Sequence, residues 1–113
     1  MALTVTASGT QTATVTTEHT LTTLTGPKTF TLTVDTNAMV FGSTNDELLL
    51  QIKTKALTGG TERVAYAAYF VGAQDPAIKI SIPIPVAYTA TVTLTQVAGT
   101  SRDFPWNITT PDV

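Results

Sequence analysis

Residues 46–71 constrain the fold more than any other stretch, because DELLLQIKTKALTGGTERVAYAAYFV carries the densest apolar alternation in the chain. Leu48, Leu50 and Ile52 share one parity, and polar side chains occupy most of the other. A period of two predicts a β-strand with one buried face and one wet face. The Gly-Gly pair at 59–60 follows, and glycine reaches positive φ at low cost, so the stretch is predicted to be a β-hairpin.

The second half of this hairpin, 63–71, is apolar or small on both of its faces. Val64, Tyr66 and Phe70 lie at one parity, whereas alanines and Tyr69 occupy most of the other. A strand without a polar face is predicted either to lie in the middle of a sheet or to face another subunit.

Alternation and turn signals divide the rest of the chain. Residues 28–35, KTFTLTVD, and 87–97, AYTATVTLTQV, alternate cleanly and are predicted to be strands. Residues 1–25 are threonine-rich and weakly apolar, which predicts either an edge strand or an N-terminal arm that pairs with a neighbouring subunit. Residues 26–106 are predicted to form a β-sandwich core, and residues 107–113 a C-terminal tail.

The overall pattern is that of an all-β protein. A chain of 113 residues has room for one domain with one core. Its short apolar runs are separated by Gly and Pro, and no segment keeps a helical period for long. These features predict a single-domain antiparallel β-sandwich or small barrel, jelly-roll or immunoglobulin-like, with about six to eight strands. Pro83 and Pro85 flank Ile84, which predicts an edge, a bulge or a strand that switches sheets.

Composition limits the partners. Charged residues make up 12% of the chain and the net charge is −2, whereas binding to phosphate backbones needs clustered Lys and Arg, so a nucleic-acid partner is not expected. No apolar run approaches the roughly 20 residues of a membrane span, and the N-terminus does not resemble a signal peptide, so no membrane partner is expected. Without cysteine there is no disulfide, thiolate metal site or catalytic thiol.

Reactive groups are sparse, and no catalytic, metal-binding or cofactor-binding residues are predicted. His19 is the one histidine and lies in the threonine-rich segment. Asp46 and Glu47 are adjacent, so on a strand their side chains would point to opposite faces and could not converge on one substrate. The spacing of Asn45, Asp46 and Glu47 fits no calcium-binding loop. The sequence therefore predicts a protein that is not an enzyme.

Six residues are the candidates for intermolecular contact. Lys53, Lys55 and Arg63 lie on the two halves of the hairpin and form a modest basic patch, which is either a solvated face or a contact for an acidic partner. Leu49 interrupts the polar parity of its strand, so something should cover it. The remaining two are aromatic: Tyr69, on the second half of the hairpin, and Trp106.

Trp106 belongs to the Phe-Pro-Trp sequence at 104–106 and has two interpretations. Aromatic rings stack on sugars in carbohydrate-binding modules, so Trp106 is the one hint of a small ligand. Alternatively, it fills the core or a subunit contact near the C-terminus.

Longer motifs carry a resemblance to a known family. TFTLTVDTNAMV, DELLLQIKTKALTGGTERVAYAAYFVGAQ, KISIPIPV and TLTQVAGTSRDFPW, together spanning most of residues 28–106, resemble a family of small tailed-bacteriophage structural proteins. Members of that family similarly show VDT-x-AMV, L-x-I-K-T-K-x-L-x-G-G-T-x-R, S-I-P-V-P and Q-x-A-G-T-x-R-x-F-P-W.

The resemblance implies a virion protein, and a head decoration or cement protein fits it best. Such a protein would be made in the host cytoplasm, would associate with itself as a homotrimer and would brace the major capsid protein on the capsid surface. Two other roles stay open: a head–tail connector or tail component, and a carbohydrate-binding β-sandwich module.

Overall fold

The computed structural model describes residues 2–41 and 45–112. In these residues the chain forms nine strands and no helix, arranged as two antiparallel sheets. The strands are β1 (Ala2–Thr12), β2 (Glu18–Thr25), β3 (Lys28–Asp35), β4 (Glu47–Thr54), β5 (Arg63–Val71), β6 (Ile78–Ile80), β7 (Ile84–Val86), β8 (Thr89–Ala98) and β9 (Asp103–Asp112). The predicted all-β fold is confirmed as a sandwich-like domain, with more strands in the described part than the six to eight predicted.

The two sheets have different strand orders. The first sheet runs β1-β9-β3-β6, and β7 also pairs with β3. The second sheet runs β2-β8-β4-β5. In the first sheet, β1 pairs with β9 along its whole length, from Ala2 opposite Asp112 to Thr12 opposite Asp103. The predicted N-terminal segment, 1–25, therefore supplies an edge strand to each sheet in residues 2–25.

The core lies between the sheets and follows the predicted alternation. On β3 the buried side chains are those of Phe30, Leu32 and Val34, each at most 1% exposed. Burial of apolar area between the two sheets is the main source of stability. The other fully buried large apolar side chains come from β4, β8, β9 and the β3–β4 connection: Met39, Leu48, Ile52, Val92, Leu94, Phe104 and Ile108.

Threonine covers much of the outer surface. Two hydroxyl pairs join neighbouring strands of the first sheet: Thr6 with Thr110 at 2.8 Å and Thr31 with Thr109 at 2.6 Å. Cross-strand hydroxyl pairs of this kind contribute a few tenths of a kcal/mol to about 1 kcal/mol each. They hold the sheet surface together without charged side chains.

The predicted C-terminal tail, 107–113, is wrong over residues 107–112, which form the second half of β9. The β3–β9 ladder covers only Trp106 to Thr109. Pro105 and Pro111 lie just outside that ladder, so they leave no gap in it. The prolines hid the strand pattern in the sequence, although Phe104 and Ile108 alternate as in any half-buried strand.

The 46–71 hairpin forms as predicted, but two of its details differ. β5 is the last strand of the second sheet, so of the two predicted positions the mid-sheet one is wrong, and a contact with another subunit stays a prediction. The connection from β4 to β5 spans residues 55–62, and the glycines with positive φ in the described residues are Gly72 and Gly99 rather than the pair at 59–60. A loop of eight residues bends without left-handed backbone.

Around Pro83 the edge of the first sheet is interrupted, as the proline pattern predicts. β6 and β7 pair with opposite ends of β3. Between β6 and β7, Ser81 makes the hydrogen bonds to β3. Its N–H donates to the Leu32 carbonyl at 2.8 Å, and its Oγ accepts from the Leu32 N–H at 2.9 Å. A side chain thus completes the ladder where proline has no N–H.

The isoleucines of this edge point outward. Ile78, Ile80 and Ile82 are 47%, 66% and 63% exposed, whereas Ser81 between them is buried. Lys79 turns inward, and its Nζ lies 5.0 Å from the centre of the Phe70 ring on β5. This cation–π contact closes the side of the sandwich between β5 and β6.

Candidate functional site

The outer face of the second sheet carries two of the predicted contact residues side by side. Leu49 on β4 lies opposite Thr95 on β8 and Tyr69 on β5. Leu49 is half-buried between these neighbours, and Tyr69 is 50% exposed. The Tyr69 hydroxyl donates to the Glu47 carboxylate, which fixes the ring against β4. The cover predicted for Leu49 thus comes in part from its own sheet.

Lys53 is held by an ion pair across the same face. Its Nζ lies 3.0 Å from Oε2 of Glu18 on β2. Glu18 is opposite Thr95, and Lys53 is opposite Thr91, so the pair crosses β8 over Thr93. This crossing explains why Thr93 is only 2% exposed although it lies on an outer face. The hydrogen bond from Lys53 is the main reason that the pKa of Glu18 lies below its ordinary value.

Lys55 and Arg63 line a separate open cavity of about 470 Å³ at the loop end of the hairpin. The remaining walls are largely apolar and include Leu57, Val64 and Ala65. The ion pairs found among residues 2–41 and 45–112 are Glu18–Lys53 and Asp46–Arg102, so Arg63 has no acidic partner there. Two cations of the predicted basic patch, Lys55 and Arg63, thus lie together, whereas Lys53 pairs with Glu18.

Glu62 lies at the inner border of this basic end. Its carboxylate accepts hydrogen bonds from the Thr91 hydroxyl at 2.7 Å and the Thr89 hydroxyl at 2.8 Å. These two bonds hold the pKa of Glu62 below its ordinary value, and the charges of Lys55 and Lys53 lower it further. Glu62 is thereby fixed to β8.

Trp106 lies on the other sheet, away from the hairpin patch. It is partly buried and packs against the core. It pairs with Gly9 on β1, and a Cβ built at Gly9 would lie 3.5 Å from its ring, so the indole covers the glycine. The cavity that Trp106 lines measures about 150 Å³, below the 300 Å³ or more typical of ligand pockets. This geometry favours the packing interpretation over sugar stacking.

His19 closes the turn between β1 and β2, since its Nε2 accepts a hydrogen bond from the Thr14 N–H at 2.9 Å. Within the described residues no group of three or more His, Asp or Glu side chains is placed to hold a metal ion. Over the same residues, no helix has the length and apolar character needed to cross a membrane.

One highly connected polar group is Asp46, which was considered from the sequence only as one of two adjacent acids. Asp46 is fully buried, and its carboxylate accepts hydrogen bonds from the N–H groups of Val40 and Thr100, each at 2.9 Å. The Arg102 Nε lies 2.8 Å from Oδ2 of Asp46. Asp46 thus joins the β3–β4 and β8–β9 connections at one end of the sandwich. Glu47 points to the outer face, so the adjacent acids diverge as predicted.

The surroundings of Asp46 favour its charged form. Burial on its own raises the pKa of Asp46, but hydrogen bonds from Val40 and Thr100 and the Arg102 guanidinium outweigh it, so the pKa lies below its ordinary value. A carboxyl group that binds a proton less readily when folded stabilises the fold at every pH above its unfolded-state pKa.

We therefore expect the free energy of unfolding to fall on acidification. Above about pH 4, the unfolded-state pKa of aspartate, the stabilisation by Asp46 is fully present, and it is lost as the pH falls through the lower folded-state value. Urea unfolding at a series of pH values between 2 and 6 measures this loss. The variant Asp46→Asn should show a flatter profile, and a profile as steep as that of the parent protein would contradict the assignment.

Comparison with protein-family models, with curated proteins and with solved structures finds no match for this chain. Fold and surface together therefore define its class: an all-β, two-sheet sandwich with apolar side chains at several margins and a small basic end. Its function is argued below from these surfaces.

Proposed function

We propose that the chain is a non-enzymatic structural protein of a bacteriophage virion, a decoration (cement) protein that associates with itself and braces major capsid proteins on the head surface. The proposal rests on the motif resemblance together with one observation. The first sheet exposes apolar side chains at both of its margins: Leu3 and Val5 on β1 are 70% and 58% exposed, opposite the isoleucines of β6.

Adjacent exposed apolar side chains can form patches that contact other proteins, so we take the two margins of this sheet as the candidate contact surfaces. A small domain that touches two neighbours at once can brace them, because many weak contacts act together on a lattice. The basic end at Lys55 and Arg63 supplies a charged contact for an acidic neighbour, although the Glu62 carboxylate at its border offsets part of the charge.

The location is tested on virions of the phage that encodes the chain. Mass spectrometry of purified virions should find hundreds of copies per particle, and immunogold labelling should decorate the heads. A few copies per virion with label at the neck or tail would instead favour the connector or tail-component role. Absence from the virion would reject both.

The surface is tested with purified protein and expanded heads that lack it. The double variant Ile80→Glu with Ile82→Glu should reduce cosedimentation with heads at least tenfold, because it places charge on the isoleucine margin. Its melting temperature should stay near that of the parent protein, since both side chains point to solvent. Thr23→Glu, an exposed position on β2, is the control and should bind normally. Equal binding by both variants would contradict the proposed surface.

A carbohydrate-binding role receives less support from the geometry. Much of the Trp106 ring packs against Gly9 and the core, so little of it is left for stacking on a sugar.

A further inference from the structure

One cavity of the structure combines apolar walls with positive charge. It lies at the loop end of the 46–71 hairpin, between the β4–β5 connection and the start of β5, and measures about 470 Å³. The cavities beside Trp106 and Lys28 measure about 150 Å³ and 260 Å³. Ligand sites usually measure about 300–1,000 Å³, so the hairpin cavity is the one of these three with room for a ligand.

Arg63 carries the charge that is least compensated in this cavity. Its guanidinium has no acidic partner within residues 2–41 and 45–112. The next acid in sequence, Glu62, is bound instead by two threonine hydroxyls of β8, at 2.7 Å and 2.8 Å. Besides these hydrogen bonds, the charge of Lys55 lowers the pKa of Glu62. Glu62 therefore offsets the charge of Lys55 and leaves that of Arg63 for a partner.

The walls beside Arg63 expose apolar surface. Leu57 in the β4–β5 connection is 71% exposed, and Val64 on β5 is 48% exposed. Ala56 and Ala65 add to the apolar lining. Apolar side chains this exposed favour a partner that removes them from water. No acid lines the cavity, so an anionic group that enters it meets no like charge from the walls.

We propose that this cavity binds a peptide segment of a partner protein in which a carboxylate side chain lies next to an apolar one. The carboxylate pairs with the Arg63 guanidinium, whose planar fork matches two carboxylate oxygens. The apolar neighbour packs against Leu57 and Val64. Because the cavity is open, it admits a segment that protrudes from a folded surface, whereas sites for free small molecules enclose most of the ligand.

The surroundings of Arg63 distinguish a carboxylate from a phosphate. A guanidinium binds both anions, but contacts to nucleic-acid phosphates need clustered cations, and charged residues make up only 12% of this chain. The apolar side chains around Arg63 instead fit an anion that is carried next to an apolar group, as in a peptide. We therefore expect a carboxylate-bearing peptide to bind better than inorganic phosphate.

This inference rests on the proposed function for the identity of the partner, an exposed acidic segment of the major capsid protein, and it names what is recognised there. The two fail separately, because peptide binding is measured on purified protein without capsids. Peptide binding by a chain that is absent from virions would overturn only the virion role. A cavity that binds no peptide would overturn this inference and leave head binding through the isoleucine margin to its own test.

A titration followed by two-dimensional amide NMR tests the site with a defined probe. Acetyl-Leu-Glu-Leu-amide, added up to about 10 mM, should shift the amide signals of Leu57, Thr61 and Arg63. Acetyl-Leu-Gln-Leu-amide has the same size without the charge and should bind at least fivefold more weakly. Equal binding of the two peptides, or no shift at these residues, would overturn the proposal. A tighter fit of the titration with inorganic phosphate would overturn the choice of a peptide.

Variants assign the binding to the two parts of the cavity. Arg63→Gln should weaken binding of the glutamate peptide at least tenfold, whereas Lys28→Gln removes the same charge from the first sheet and should bind normally. Leu57→Ser should weaken binding of both peptides, and Val71→Ser, at the far end of β5, is its control. Arg63 and Leu57 are exposed, so their variants should keep the circular dichroism spectrum of the parent protein. Parent-like binding by Arg63→Gln would overturn the proposed site.

Discussion

Asp46→Asn is expected to lower the free energy of unfolding by about 3 kcal/mol, because breaking a buried charged pair leaves its partners without compensation. The substitution keeps the size of the side chain but removes the charge that Arg102 faces at 2.8 Å. It also replaces one oxygen with an NH₂ group, so either the Val40 N–H or the Thr100 N–H meets a donor instead of an acceptor. Equilibrium unfolding in urea at pH 7 measures the difference.

Asp75→Asn is the matched control for this experiment. Asp75 is an exposed carboxylate in the turn after β5, so its loss changes the net charge equally while leaving the buried contacts intact. Its effect should stay within about 0.5 kcal/mol, as is usual for surface substitutions. Equal destabilisation by the two variants would show that net charge, rather than the contacts of Asp46, accounts for the effect.

Gly99→Ala is expected to destabilise the protein by about 3 kcal/mol or more, through two effects that act at one position. Gly99 has a φ of +98°, which residues with a Cβ rarely adopt. The added Cβ would also lie 2.1 Å from Oδ1 of Asp46 and 2.7 Å from its Cα. The carboxylate would have to leave its donors, and the backbone would have to shift. Thermal unfolding followed by circular dichroism measures the loss.

Gly59→Ala provides the contrast. Gly59 lies in the β4–β5 loop, no atom lies within 4 Å of a Cβ built there, and it is not among the positive-φ glycines. Because alanine reduces the freedom of the unfolded chain, this variant should be neutral or more stable by up to about 1 kcal/mol. If Gly59→Ala and Gly99→Ala had the same effect, the close contact with Asp46 would not be the cause.

The strands with one buried face were predictable from the sequence, because their apolar and polar residues alternate. On β3 and β4, the residues at the predicted inward parity are the buried ones, Phe30 and Leu50 among them. This success has a local cause, since the period of two is set by the pleat of the strand itself.

Features that depend on distant partners were not predictable in this way. The apolar sides of β5 predicted either a mid-sheet position or a subunit contact, yet β5 is an edge. In the 78–82 segment the isoleucines point outward while Ser81 and Lys79 turn inward. Sheet order and the direction of a short edge strand are decided by which surfaces meet in the folded chain. β9 was missed because Pro105 is atypical of a strand, although both neighbouring strands, β1 and β3, pair with β9.

The candidate site was predictable in part for the same reasons. The hairpin pattern placed Leu49 and Tyr69 near each other, and the structure puts them directly opposite. The sequence could not assign Lys53 to Glu18, because that contact joins residues 35 positions apart across a third strand. Asp46 gave a weak signal in advance, an acid between a loop and a strongly apolar strand, but its donors come from two distant connections.

The pairing of β1 with β9 sets an order of events during protein synthesis. Every strand of the second sheet has been synthesised once β8 is made, so all the residues that this sheet needs are present before β9 is complete. β1 must wait for β9, about 100 positions later, and a contact of such long range is entropically slow to close. We expect the nascent chain to carry β1 unpaired until β9 is made, which leaves this strand open to chaperones for longer than the strands of the second sheet.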